Sequence, residues 1–209
     1  MNFAADIFDE RRYGLITGSA CSVLFPNKDA RVGQISYAKE LAQQKFFKFY
    51  DERSTWQMQH GHLSESFALV NFQNYINPNA ENGDFKMIDE YGGTCDCLCP
   101  EYGVDFKCPT TMGTWLDYLY TGIDKQQYYQ CQMYMWLFDK PKWIVAAYLI
   151  ETNYMSDNGL IYPIDEDKRT ITIEVEPMPD FESELRKRGQ FVIDKREEFI
   201  EQLKKQFNQ

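Results

Sequence analysis

The chain has 209 residues, 44% hydrophobic and 16% aromatic, which suits an ordered globular protein with a substantial core and excludes a disordered tail. Its 22 basic residues against 32 acids give a net charge of −10, which argues against a general nucleic-acid coat but not against an enzyme that grips a few phosphates locally. No apolar run is long enough to span a bilayer, and the opening MNFAADIFDERRYG carries early acids and no signal core, so a cytoplasmic protein with reduced cysteines is expected.

There is no repeat, low-complexity tract or Pro/Gly-rich linker, so residues 1–209 read as a single domain. A hydroxyl-capped helix is predicted from about Thr17 to just before Pro26. Further helices are predicted over Ile35 to Tyr50 and Trp56 to Tyr75, the latter ending at Asn77-Pro78. Strands follow at Phe85 to Glu90, Thr94 to Leu98 and Tyr102 to Cys108, with turn residues Pro100 to Gly103 between the last two. Met112 to Tyr120 and Lys125 to Leu137 look helical, and WIVAAYLIE (Trp143 to Glu151) reads as a buried strand. Leu160 to Ile164 and Thr170 to Val175 read as alternating strands, and Pro179 to Phe207 as a long charged helix. This order implies an α/β fold with a central mixed β-sheet flanked by helices.

The stretch GGTCDCLCPEYGVDFKCPTT (Gly92 to Thr111) holds four of the six cysteines. On a strand Asp105 and Lys107 share a face. A turn centred on Pro100-Glu101 places Asp96 opposite Asp105. Two carboxylates and an ammonium then converge, a hard-oxygen set suited to Mg²⁺ or Mn²⁺ and to hydrolysis of a phosphodiester. The plain alternative is a surface hairpin with solvated charges. A thiolate metal site fits poorly: Cys95, Cys97 and Cys99 alternate along one strand face, whereas structural zinc sites use paired C-x₂₋₄-C knuckles. Small, buried, reduced packing residues are the expected role.

Three other segments carry candidate chemistry. Glu65, in GHLSE (Gly61 to Glu65), can add an acid from a helix. Arg12, Thr17 and Ser19 stand just ahead of a helix N-terminus, which suits a terminal phosphate, with simple capping as the alternative. Gln130 and Gln132 lie in an aromatic, Met-rich helix, and a buried glutamine there must find a partner. The final helix carries seven basic residues against seven acids between Asp180 and Lys205, and reads as a solvated helix packed by Leu185, Phe191, Phe199 and Leu203.

In chain order these pieces resemble the phage lambda exonuclease family (YqaJ-type viral recombinase nucleases) of the PD-(D/E)XK nuclease superfamily. The resemblance runs from about Arg11 to Leu149. It rests on R-x-G-x-I-T-x-S (Arg12, Gly14, Ile16, Thr17, Ser19), G-x-x-x-E-x-x-A (Gly61, Glu65, Ala68), D…(D/E)-x-K-C-P (Asp96, Asp105, Lys107, Cys108, Pro109) and Q-x-Q-x-x-M-W (Gln130, Gln132, Met135, Trp136). Cys95 stands where the family has proline, and Asp105 where it commonly has glutamate. Aspartate is one methylene shorter, so a metal must sit closer to the strand or a water must fill the gap.

The resemblance implies a PD-(D/E)XK nuclease-like fold and a 5′→3′ exonuclease acting on double-stranded DNA ends in phage recombination by strand annealing. It implies a ring-shaped homotrimer, Mg²⁺ dependence with Mn²⁺ substituting, and a single-strand annealing recombinase as partner. By the same carry-over Glu65, Asp96, Asp105 and the Phe106 carbonyl hold metal. Lys107 positions or activates the water, Gln132 supports the site near Lys107 or the nucleophilic water, and Arg12 and Ser19, helped by Thr94, hold the 5′-phosphate. Two alternatives stay open: a structure-specific or single-strand nuclease of the same superfamily, and an inactive DNA-end-binding recombination partner.

Overall fold

The computed structural model describes residues 10–26, 31–50, 55–151 and 161–207. A 3₁₀ turn (Glu10–Arg12) leads into β1 (Ile16–Thr17) and a 3₁₀ helix (Gly18–Leu24). Then come α1 (Arg31–Phe47), α2 (Trp56–Tyr75), β2 (Glu81–Asn82), β3 (Phe85–Ile88), β4 (Tyr91–Thr94), β5 (Cys97–Leu98) and β6 (Gly103–Lys107). The chain continues through α3 (Met112–Tyr120), α4 (Lys125–Phe138), β7 (Trp143–Tyr148), a 3₁₀ turn (Glu166–Lys168), β8 (Thr170–Val175) and α5 (Phe181–Phe207). Helix starts follow capping chemistry: Thr55 and Thr111 accept from Met58 N and Thr114 N, and Asp124 and Gln127 form a reciprocal capping box.

The fold is α/β, with mixed sheets flanked by helices. A small sheet has the order β1-β4-β3, with β1 parallel and β3 antiparallel to β4; a five-stranded sheet has the order β2-β5-β6-β7-β8. In the second, β6 and β7 run parallel and the other pairs antiparallel. The almost wholly buried β7 reads as a nearly continuous apolar run, as a central strand covered on both faces must. One core joins α1, the 3₁₀ helix Gly18–Leu24, α4, α5 and β7, and a second lies under α2 against β5 and β6.

Three expectations change. Thr94 to Leu98 is not one strand: β4 ends at Thr94 in the small sheet and β5 begins at Cys97 in the large one. The helix expected from about Thr17 begins at Gly18 and is wound throughout, to Leu24, in the tighter 3₁₀ form. Residues 161–164 form no strand, only an isolated bridge at Ile161, and Leu160 lies outside the described residues. Among the described residues no helix is long and apolar enough to cross a membrane.

Candidate active site

Asp96 sits where the chain crosses from one sheet to the other, outside both strands. The crossing is pinned from both sides: Gly83 N donates to Asp96 O at 2.9 Å and Cys95 N to Asp84 O at 3.3 Å. A Cβ at Gly83 would overlap the Cys95 carbonyl, so only glycine lets the two segments run this close. Asp96 Oδ2 accepts a 2.7 Å hydrogen bond from Phe106 N. The hairpin pairs Cys97 with Val104 and Leu98 with Gly103, and one further step sets Asp96 opposite Asp105.

On β6, Asp105 and Lys107 share a face, two residues apart. The Asp105 side chain is 1% exposed, and its Oδ2 meets Lys107 Nζ at 2.8 Å. The contact is an ion pair that leaves this buried oxygen without a well-directed hydrogen bond. Lys107 Nζ also donates to Gln130 Oε1 at 3.4 Å, and Gln130 Nε2 donates to the Tyr134 hydroxyl at 3.4 Å. Burial opposes the ammonium charge, but Asp105 and Asp96 outweigh it, so Lys107 is held firmly protonated. Burial, then the charges of Asp105 and Glu65, push Asp96 well above the usual carboxylate range, against the pull of Lys107 and the Phe106 N–H.

Glu65 approaches from the middle of α2, half-buried, with His62 Nδ1 at 3.5 Å from its Oε1. Among the described residues no three His, Cys, Asp or Glu side chains are drawn together tightly enough to cage a metal ion. A hard divalent cation needs less, because Mg²⁺ keeps several waters and takes one or two carboxylates. The residues fit such an ion: Asp105 has a buried oxygen lacking a directed hydrogen bond, and Asp96 is unfavourable as an anion beside two like charges. The cysteines around them pack inward. Cys97 and Cys99 join the core under α2 and Cys95 the other core, and burial pushes the Cys95 thiol up to about 11.

Arg12 and Ser19 line one cavity of about 490 Å³, together with Thr17, Ser22 and Gln126. Thr94 is exposed at the end of β4 and is not part of that lining. Tyr134 lies against Gly18 and Gly93, the residues next to Ser19 and Thr94 in the chain. Its ring fills the room left by Gly18 and Gly93, where any Cβ would collide with it. Burial, Asp105 and Asp96 push its hydroxyl upward while Gln130 and Arg12 pull it down, so both sets of charges reach one buried phenol.

The structure brings Gln130, not Gln132, into hydrogen-bond contact with Lys107. Gln132 Nε2 donates to Glu176 O at 2.8 Å and its Oε1 accepts from Met178 N at 2.6 Å, so it ties α4 to the link between β8 and α5. Residues two apart on a helix point about 200° apart, so only one of the two glutamines can face β6, and that one is Gln130. Phe106 lies between Asp105 and Lys107, with its ring edge-on to Phe72 of α2 at 5.8 Å.

No family model and no curated protein matches the chain. Solved structures do. An alkaline exonuclease (LHK-Exo) from Laribacter hongkongensis superposes with a TM-score of 0.75 at 18% identity over 95% of both chains. Its complex with dAMP gives 0.73 at 18% identity over 98% of both. A phage-related exonuclease from Haemophilus somnus 129PT gives 0.70 at 20% identity over 90% of this chain and 95% of that one. The chain shares the fold of these exonucleases.

Within this exonuclease fold, two residues near the site escaped the sequence reading. Tyr134 gave only an aromatic in an aromatic helix. Arg196 gave a clearer signal: it falls on the buried stripe Leu185, Gly189, Val192 and Ile200 of α5, where a solvated helix has no reason to place an arginine. It is 1% exposed and donates to Gly14 O at 2.6 Å and Glu90 Oε2 at 2.8 Å. Gln44 Oε1 accepts from Gly14 N at 3.3 Å. Gly14 (φ 76°) is thus gripped through both backbone groups, two residues beyond Arg12.

Proposed function

We propose that this chain is a metal-dependent 5′→3′ exonuclease that degrades linear double-stranded DNA by phosphodiester hydrolysis during phage recombination by strand annealing. The observation that carries the reading is the β5–β6 hairpin, which sets Asp96, Asp105 and a charged Lys107 on one face beside Gln130. The exonuclease fold supports it, as does the capture of dAMP, a nucleoside monophosphate of the kind an exonuclease releases, by LHK-Exo. The intact acid–acid–lysine set favours an active enzyme over an inert end-binding partner.

Asp96 and Asp105 would hold a Mg²⁺ ion, with Mn²⁺ substituting, and Glu65 and the Phe106 carbonyl would complete the oxygen ligands through water or directly. The bound cation would supply Lewis acidity to the scissile phosphate and help generate hydroxide from water. Lys107 pairs with Asp105 and donates to Gln130. It would orient the attacking water or a phosphate oxygen, and Gln130 limits its swing. Arg12 and Ser19 would receive the 5′-phosphate in their cavity, with Thr94 beside the path between them and Asp96. In this reading the enzyme acts in the host cytoplasm as a ring-shaped homotrimer alongside a single-strand annealing recombinase.

Linear duplex with 5′-phosphates is expected to disappear in Mg²⁺ and survive in EDTA, while covalently closed circles persist in both. Rapid cutting of closed circles would exclude an end-dependent enzyme and favour a structure-specific nuclease.

A further inference from the structure

Two glycines lie well inside long helices, and they differ in what surrounds them. Gly189 of α5 has an internal reason: a Cβ there would collide with the Tyr91 hydroxyl and ring. Gly61 is the sixth residue of the twenty-residue helix α2, and among the described residues a Cβ there would meet nothing within 4 Å. Glycine inside a helix lowers stability relative to alanine. Among the described residues no packing demands glycine at position 61.

The position gives the reason. Gly61 lies one turn before Glu65, and residues four apart on a helix share a face. That face is turned to β5 and β6: Ala68 and Phe72, further along it, are buried against them, with the Phe72 ring edge-on to Phe106 at 5.8 Å. The neighbouring turn is packed beneath it: His60 and Ser64 are buried, with Ser64 Oγ 3.5 Å from His60 Nε2. The opposite side of α2 carries the exposed Leu63, Phe67 and Val70. Bare helix backbone thus lies on the face of α2 that packs toward β6.

We infer that Gly61 is a substrate-passage residue: it keeps a lane open along α2 in which the sugar–phosphate backbone of the DNA strand lies against the helix on its way to Asp96 and Asp105. This rests on the nuclease reading and adds a specificity element to it, because a small diester that needs only the carboxylate centre does not need the lane.

The test compares wild type with Gly61→Ala and Gly61→Leu, with Mg²⁺, on 5′-phosphorylated linear duplex and on bis(p-nitrophenyl) phosphate. Alanine, the better helix former, is expected to raise the melting temperature by about 2–4 °C. It should lower kcat/KM on duplex about tenfold and leave the small diester within about twofold, and leucine should deepen the duplex loss while the protein stays folded. Unchanged duplex turnover in both variants would overturn the inference. So would a parallel loss on both substrates, which would show a disturbed carboxylate centre, or a lowered melting temperature in Gly61→Ala, which would show that the site has no room for a Cβ. A wild-type protein that degrades no DNA would instead sink the nuclease reading itself.

Discussion

The carboxylate centre and the Arg12 cavity are built in different ways. The centre is a local object: one hairpin register places Asp96 opposite Asp105, and strand alternation places Lys107 beside it. The cavity is assembled from far-apart pieces, with Arg12 on a 3₁₀ turn, Ser19 on a 3₁₀ helix, Gln126 on α4, and the Gly14 backbone held by Gln44 of α1 and Arg196 of α5. The first depends mainly on its own hairpin, with Gln130 reaching it from α4 and Gly83 pinning Asp96. The second can be loosened from 182 residues away along the chain.

Substitutions should separate the two along that line. The largest effect is expected at Lys107→Ala, which should lower kcat on duplex by about 10³-fold or more, the scale of losing a preorganised charged donor. Binding of 5′-phosphorylated ends should survive. A variant with near-normal turnover would remove Lys107 from the chemistry.

Arg196→Met should act on stability first. It removes a buried cation that bonds Glu90, Glu197 and Gly14 O; because both carboxylates stay solvated, the loss is about 1.5–3 kcal/mol, the scale of a charged hydrogen bond, readable as a lower denaturation midpoint. The preference for phosphorylated over hydroxyl 5′ ends should fall with it, measured at a temperature where the variant is folded. A destabilised variant with undiminished preference would sever Arg196 from the cavity.

Arg12→Ala should weaken use of phosphorylated ends by about 10- to 100-fold through KM, matching the loss of a charged hydrogen bond worth about 1.5–3 kcal/mol. Hydroxyl ends should be affected little. Equal losses on both would take the phosphate from the cavity.

The smallest effect has an unusual sign. Asp96 is raised by burial and by Asp105 and Glu65. A carboxyl whose folded value exceeds its unfolded one favours the fold in its protonated form, so stability is lost as pH rises from the ordinary carboxylate range, about 3.9, through the raised folded value. Without metal, Asp96→Asn should therefore raise stability at neutral pH by about 1 kcal/mol, and Mg²⁺ should stabilise wild type but not the variant. Melting curves with and without Mg²⁺ at two pH values read both. A variant that melts lower without metal would show that the carboxylates are not strained together.

What the sequence revealed follows the same division. The hairpin register could be counted from its turn, because both partners lie within a dozen residues. The helix bounds Trp56–Tyr75 and Met112–Tyr120 were legible from periodicity and caps. The strand break at Cys95 and Asp96 was not, because the local pattern alternates straight through and only the pairing of β4 and β5 with different sheets interrupts it. Gln130 and Gln132 were both in view, but their helical phase relative to β6 is a tertiary fact. Arg196 reads as an ordinary charge until its place on the buried stripe is noticed.

End-labelled linear duplex tests the central claim most directly. The account predicts that, in Mg²⁺, the 5′ label leaves first as a mononucleotide while the 3′ label stays on shortening strands, and that EDTA or Lys107→Ala stops both. Early loss of the 3′ label, or digestion that proceeds equally in EDTA, would contradict it.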